Sequence, residues 1–161
     1  MTTDARTPRE QIRASLIALK DVYGVAGSFV FARGGYLVAR EMPPMFDDLT
    51  LAEAGSRLIL LQETFNAVGD RLDSAVLRFR DHKIFVKPMA GGALCIITLS
   101  GVNMPVLRMA ANLVGRRIAP VLDPIAEDPS SVEPTSPRLA TPAPTDGAHS
   151  TVRRLRDRTV E

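Results

Sequence analysis

The chain has 161 residues, 45% of them hydrophobic and 24% charged, and its formal net charge is +2. This length suits one globular domain with an appendage. The net charge divides into +4 over residues 1–122 and −2 over residues 123–161, which argues against nucleic acid as a partner. The single cysteine, Cys95, excludes an intrachain disulfide and a zinc cluster of thiolates, and its apolar neighbours predict an inert, buried side chain.

The N-terminal residues lack the apolar stretch of a signal peptide. No apolar run approaches the roughly 18 residues that a transmembrane helix needs. We therefore expect a cytoplasmic protein that does not insert into a membrane. Residues 1–7 are expected to form a flexible N-terminus.

The first helix is predicted to begin at a capping box formed by Thr7 and Glu10, with Pro8 at the first helical position. An apolar face at helical spacing follows, and Gly24 is expected to end the helix. This face comprises Ile12, Leu16, Leu19 and Tyr23.

Five short strands are predicted around a second helix. They lie near residues 26–32, 36–40, 73–80, 83–88 and 93–99. Arg33-Gly34-Gly35 suits the tight turn of the first hairpin, whereas Asp81-His82 and Gly91-Gly92 join the last three strands into a meander. The last strand is apolar on both faces, which places it centrally in a sheet covered on both sides.

The second helix is predicted to begin at another capping box, Thr50 to Glu53, and to end near Gly69. Its predicted core face comprises Leu51, Ala54, Leu58, Leu61, Phe65 and Val68. A second stripe comprises Ala52, Gly55, Ser56, Ile59, Leu60 and Glu63. Because small residues let two helices approach closely and the apolar members exceed what one core needs, we predict that this stripe forms a dimer interface. The alternative is that Ile59 and Leu60 are scattered surface residues.

The third helix is predicted from Asn103 to Pro120 or Leu122, where Asp123-Pro124 would break it. Its core face would comprise Leu107, Ala111, Val114, Ile118 and Val121. The element order α-β-β-α-β-β-β-α over residues 8–122 predicts an α+β fold. This fold would be a three-layer sandwich with helices on both faces of a five-stranded, mainly antiparallel sheet.

The remaining residues divide into two segments. Residues 123–149 contain six of the twelve prolines and are expected to form a disordered linker. Residues 150–161 form a basic C-terminal segment, in which the candidate partner-binding residues are Val152, Arg153, Arg154, Leu155, Arg156 and Arg158. This segment is either a disordered, solubilising tail or a tethered segment that folds on an acidic partner surface.

No residue pattern indicates catalysis. The chain has no phosphate-binding loop, and Gly24-x-x-Gly27 precedes a strand, which is the reverse of a dinucleotide-binding motif. The two histidines, His82 and His149, fall at a predicted turn and in the tail, so a histidine triad or metal site lacks partners. The adjacent carboxylates Asp47 and Asp48 suit a helix N-terminus better than acid–base chemistry. We expect a protein that is not an enzyme and needs no cofactor or metal.

The element order, the glycine-turn hairpin and the short helix that enters Gly24-Val25-Ala26-Gly27 resemble the roadblock family of dynein light chains. The closing strand and the helix over 103–122 fit the same pattern. One departure is Arg33-Gly34-Gly35, where many members carry an acidic residue before glycine. The resemblance implies a roadblock/profilin-like sandwich without a catalytic site.

The resemblance also implies an assembly and a function. Roadblock proteins pair through the second helix and the third strand, which adds Ser74, Val76, Arg78 and Arg80 to the predicted dimer interface. The prokaryotic, MglB-like members act on a Ras-like small GTPase as non-catalytic dimers. The chain would accordingly be a regulator or scaffold of such a GTPase, as a homodimer or as a heterodimer with another roadblock protein. No arginine can be assigned as a catalytic finger.

Two other functions remain open from the sequence. One is a small-molecule sensor of the PAS or GAF type, although no polar groups converge within the apolar strands. The other is a structural subunit of a hetero-oligomeric complex.

Overall fold

The structure is a computed structural model that describes residues 6–127. Its helices are α1 (Pro8–Ile17), continued by a 3-10 turn (Ala18–Asp21), α2 (Asp48–Ala67) and α3 (Met104–Glu127). Its strands are β1 (Val25–Ala32), β2 (Leu37–Glu41), β3 (Ala75–Arg78), β4 (His82–Met89) and β5 (Gly92–Leu99). The predicted element order is therefore confirmed. The predictions for residues 1–5 and for the segments 128–149 and 150–161 lie outside the described residues.

The five strands form one antiparallel sheet in the order β2-β1-β5-β4-β3. The apolar strand β5 lies at the centre, as predicted, and Cys95 pairs with Phe29 of β1 and Val86 of β4. α1 and α3 cover one face, while α2 covers part of the other. β2 and β3 are left as the two edges of the sheet.

Two apolar cores follow from the alternation of side chains along β5. Leu94 and Ile96 pack beneath α1 and α3, in the first core. Cys95 and Ile97 pack beneath α2, in the second core. Cys95 is buried as predicted, and burial raises the pKa of its thiol far above the usual cysteine value.

The start of α1 confirms the predicted capping box. The Glu10 amide donates to Thr7 Oγ1 at 3.3 Å, and the Thr7 amide donates to Glu10 Oε2 at 2.9 Å. The prediction for Tyr23 is wrong, because this side chain is 90% exposed. The α-helix ends at Ile17, the 3-10 turn changes the angular spacing, and Val22 is extended, so Tyr23 leaves the apolar face.

The cap of α2 lies three residues before the predicted capping box. The Asp47 carboxylate caps the helix by accepting from the Thr50 amide at 2.7 Å, and this bond lowers the pKa of Asp47. The predicted core face holds at Leu51 but is wrong towards the C-terminus, since Phe65 and Val68 are 39% and 72% exposed. The helix makes its main contacts with β1 and β2, and its last turns, after Ile59, pack against neither core.

α3 continues five residues beyond the predicted break. Pro120 and Pro124 both lie within the helix, and both rings are exposed. The lost hydrogen bonds therefore fall on the solvent side, while buried Leu122 and Ile125 continue the apolar face. Residues 123–127 are helical and belong to the folded domain rather than to the linker.

Candidate functional site

The two edges of the sheet differ in how they are protected. At β2, the Arg9 guanidinium donates to the Val38 carbonyl at 2.8 Å and so occupies an edge acceptor. At the end of the same strand, Glu41 pairs with Lys20 at 2.6 Å and with Arg13 at 3.4 Å. The contact with Lys20 lowers the pKa of Glu41 more than that with Arg13. Charged side chains therefore block β2 from pairing with another strand.

The β3 edge pairs only with β4. The Phe79 amide donates to the His82 carbonyl at 2.9 Å at the hairpin. Because hydrogen-bonded and non-hydrogen-bonded pairs alternate in an antiparallel ladder, the backbone groups of Leu77 face β4 and those of Val76 and Arg78 face outwards. An edge of this kind is a template for a strand of another chain.

Apolar side chains lie beside this open edge, on the α2 face of the sheet. On α2, Leu60 is 64% exposed and Leu61 is 37% exposed, and Phe79 beyond β3 is 50% exposed. Leu77 and Ile84 are only partly buried, because α2 makes its main contacts with β1 and β2 rather than with β3 and β4. We define the α2–β3 surface as Leu60, Leu61, Phe65, Leu77, Phe79 and Ile84.

The hairpin at one end of the α2–β3 surface carries an aromatic stack. The rings of Phe79 and His82 lie 4.6 Å apart between centroids, with an angle of 7° between their planes. His82 is predicted as a turn residue, yet it is half-buried and opens β4, and the turn is formed by Arg80 and Asp81. The stack therefore holds the half-exposed Phe79 ring in place at this end of the edge strand.

The second stripe of α2 divides between the domain's own core and the solvent. Gly55 is buried against Phe31, where an added Cβ would lie 3.0 Å from the ring Cγ. Ile59 also packs against the second core. The small residue at position 55 therefore brings α2 close to its own sheet, and Ile59 is used by the domain that carries it.

The other predicted interface residues are distributed as follows. Leu60, Ser56 and Glu63 of α2 are exposed, and Ala52 is half-buried. Ser74 and Val76 are half-buried, whereas Arg78 and Arg80 are exposed. The side chain of Val76 packs against the first core, so its backbone rather than its side chain reaches the open edge.

Leu61, Phe65 and Phe79 belong to the α2–β3 surface but were not predicted for it. Helical spacing alone does not identify the first two, because they continue the same stripe as Leu51. The signal for Phe79 is its position directly before a turn at the end of a strand.

Two surface depressions bear on ligand binding. A cavity of about 120 Å³ between α2 and the hairpin turns is lined by Arg33, Ile59, Gln62, Glu63, Asn66, Met89 and Gly92. A wide depression of about 440 Å³ follows β2, but its charged groups are already paired, as Arg40 is with Asp48. Within residues 6–127, every buried side-chain nitrogen or oxygen has a hydrogen-bond partner. These features do not form an enclosed binding chamber.

The described part of the chain shows neither a metal-binding cluster nor a membrane-spanning helix. Over residues 6–127, no three His, Cys, Asp or Glu residues come together in a way that could hold a metal ion. In the same range, each helix is too short or too polar to span a bilayer.

Comparison with solved structures identifies the fold. Myxococcus xanthus MglB superposes with a TM-score of 0.63 at 14% identity, over 84% of this chain and 98% of that one. The roadblock/LC7 domain from Streptomyces avermitilis gives a TM-score of 0.60 at 16% identity, over 68% and 96% of the two chains. The gliding protein MglB from Thermus thermophilus gives 0.60 at 12% identity, over 74% and 93%.

No protein-family model matches the sequence, and no curated protein matches it in sequence comparison. The likeness is therefore one of structure at low identity. It establishes a roadblock fold of the MglB-like type, as the sequence predicts.

Proposed function

We propose that this chain is a non-catalytic regulator or scaffold of a Ras-like small GTPase, acting in the cytoplasm as a homodimer. The observation that carries the proposal is that, within this roadblock fold, one edge of the sheet is protected and the other is open. Charged side chains block β2, whereas β3 offers outward backbone groups beside the exposed apolar α2–β3 surface.

The proposed dimer pairs β3 of one protomer with β3 of the other. Two-fold pairing places the same residues on both sides of the contact, so the α2–β3 surface of each protomer meets its copy. The backbone groups of Val76 and Arg78 gain partners, and Leu60 and Phe79 leave water. The same edge would accept another roadblock chain in a heterodimer.

The proposed partner supplies all of the chemistry. The chain has no phosphate-binding loop, and Arg57 is held by Glu53 on its own helix rather than presented as a finger. A dimer can regulate a GTPase by binding one nucleotide state more tightly than the other, which shifts the population of its switch loops. The residues Val152 to Arg158 would add a second contact to an acidic surface of this partner.

The first experiment is multi-angle light scattering of the full chain, alone and mixed with small GTPases of the same genome. Each GTPase is loaded with GDP or with a GTP analogue. We expect a dimer that retains a GTPase in one nucleotide state. A dimer that binds none of the GTPases would support the alternative function, a structural scaffold of a larger complex. A monomer would refute the proposed dimer interface.

The open edge is tested by a matched pair of proline substitutions. Val76→Pro removes an N–H that faces outwards, so we expect a folded monomer. Leu77→Pro removes an N–H that faces β4, so we expect reduced stability of the single domain. Circular dichroism and light scattering distinguish the two effects. A Val76→Pro chain that remains a folded dimer would exclude pairing through β3.

A further inference from the structure

The solvent side of α3 carries an apolar stripe that the fold does not use. Val106, Met109 and Leu113 recur at three- and four-residue steps and are 46%, 72% and 53% exposed. The opposite side of the helix is buried in the first core by Leu107, Ala111 and Ile118. α3 is therefore apolar on its outer as well as its inner side.

Positive charge flanks this stripe. Residues 100–122 contain three arginines and no aspartate or glutamate. Arg108, Arg116 and Arg117 are all exposed, and none forms an ion pair within residues 6–127. In the following turn of the helix, Asp123 pairs with Arg33 at 3.7 Å.

The neighbouring strands extend the positive surface. Val76 and Phe85 pack into the first core, so alternation places Arg78, Lys83 and Lys87 on the same face of the sheet as α3. Lys87 lies against α3, where a Cβ added at Gly115 would be 3.4 Å from its Cε.

The helices on the two faces of the sheet differ in net charge. α1, its 3-10 turn and α3 carry six basic against four acidic residues, whereas α2 carries one basic against three acidic residues. Asp48, Glu53 and Glu63 lie on α2, across the sheet from α3. The charges are thus unequally divided between the two helical layers, and the α3 side of the molecule favours an anionic partner.

We propose that the outer face of α3, defined as Val106, Arg108, Met109, Leu113, Arg116 and Arg117, docks on the surface of an anionic lipid bilayer. Apolar side chains flanked by arginines match the boundary between acyl chains and headgroups. Nucleic acid would take up the arginines but would leave the apolar stripe in water.

The proposed contact is peripheral and leaves the fold intact. Each arginine near an anionic surface strengthens partitioning by about fivefold. The α2–β3 surface lies on the opposite face of the sheet, so docking leaves the proposed dimer interface free.

The test is co-sedimentation of the full chain with vesicles of phosphatidylcholine, alone or with about one third phosphatidylserine. We expect binding only to the vesicles that contain phosphatidylserine, and loss of binding in about 1 M salt. The double substitution Arg116→Glu and Arg117→Glu should weaken partitioning by about 25-fold or more. Leu113→Gln should weaken it while leaving the charge unchanged.

The matched control is Arg57→Glu with Arg71→Glu, which makes the same change of net charge away from α3. This variant should keep more of its binding than the α3 variant. Equal loss of vesicle binding in both variants would show that binding depends on net charge alone. Full vesicle binding by the α3 variant would assign the contact to the C-terminal segment. Either result, or tighter binding to duplex DNA than to the vesicles, would overturn the proposal.

A fluorescent label reports the depth of the contact. The buried, weakly acidic thiol of Cys95 resists labelling, so Met109→Cys or Ser56→Cys can carry a polarity-sensitive dye. We expect a blue shift at position 109, and none at position 56, when the anionic vesicles are added. The absence of a shift at position 109 would overturn the apolar part of the proposal.

Discussion

Replacing Leu60 by arginine separates assembly of the proposed dimer from folding of the single chain. Leu60 is 64% exposed and makes little contribution to either core. Burial of a whole leucine side chain contributes roughly 1.5–3 kcal/mol, so burial of the exposed part contributes about 1–2 kcal/mol in each protomer. The two protomers of a dimer together would lose about 2–4 kcal/mol of association free energy.

That loss raises the dissociation constant of the dimer by about 30- to 800-fold. The two introduced charges add a desolvation cost in the same direction. We expect Leu60→Arg to be a monomer in light scattering at concentrations where the unmodified chain is a dimer. Its urea unfolding midpoint should remain close to that of the unmodified chain diluted until it is monomeric. The reason is that the side chain at position 60 reaches solvent in the monomer.

Two further variants make the result specific. Met109→Arg is a matched control, since Met109 is an exposed side chain on the other face of the sheet, and it should remain a dimer. Ile59→Arg should instead reduce the stability of the domain itself, because Ile59 packs against the second core. A folded Leu60→Arg chain that stays dimeric on dilution would refute the assignment of α2 to the interface.

Three other predictions concern the fold. Gly55→Leu should lower the free energy of unfolding by about 1–3 kcal/mol in urea titrations, because the new side chain overlaps the Phe31 ring; an unchanged value would show that α2 can move away from the sheet. Glu41 has a lowered pKa in the folded state, so its pairing with Lys20 stabilises the fold above the ordinary glutamate value of 4.5 and is lost as the pH falls through the lower folded value. Glu41→Gln should remove this component from the dependence of stability on pH. The native chain should react with a thiol reagent only after unfolding, because Cys95 is buried, and rapid labelling of the folded chain would contradict that burial.

Local signals in the sequence predicted most of the fold. The Thr7 capping box, the glycine turns and the period of the strands each depend on interactions within a few residues, so they can be recognised without the tertiary structure. The run Leu94 to Ile97 is apolar on both faces, and this pattern alone indicates the central strand. The predicted burial of Cys95 follows from the same run.

The orientation of α2 required the tertiary structure. Apolar residues occupy more than one stripe of this helix, and helical spacing ranks Leu51, Leu61 and Phe65 together although only the first is buried. The position of the sheet decides which stripe is covered, because a helix buries the side that faces a neighbouring layer. The same position of the sheet brings Gly55 into close contact with the Phe31 ring.

The sequence alone thus determined the order of the elements, the cap of α1, the glycine turns and the central strand, because these depend on neighbours along the chain. Tertiary structure decided which edge of the sheet is blocked and how far α3 extends. Arg9 reaches Val38 across 29 positions of sequence, and burial of Leu122 and Ile125 keeps the helix intact past two prolines. Both outcomes depend on contacts between segments that are distant in sequence, so no local pattern could supply them.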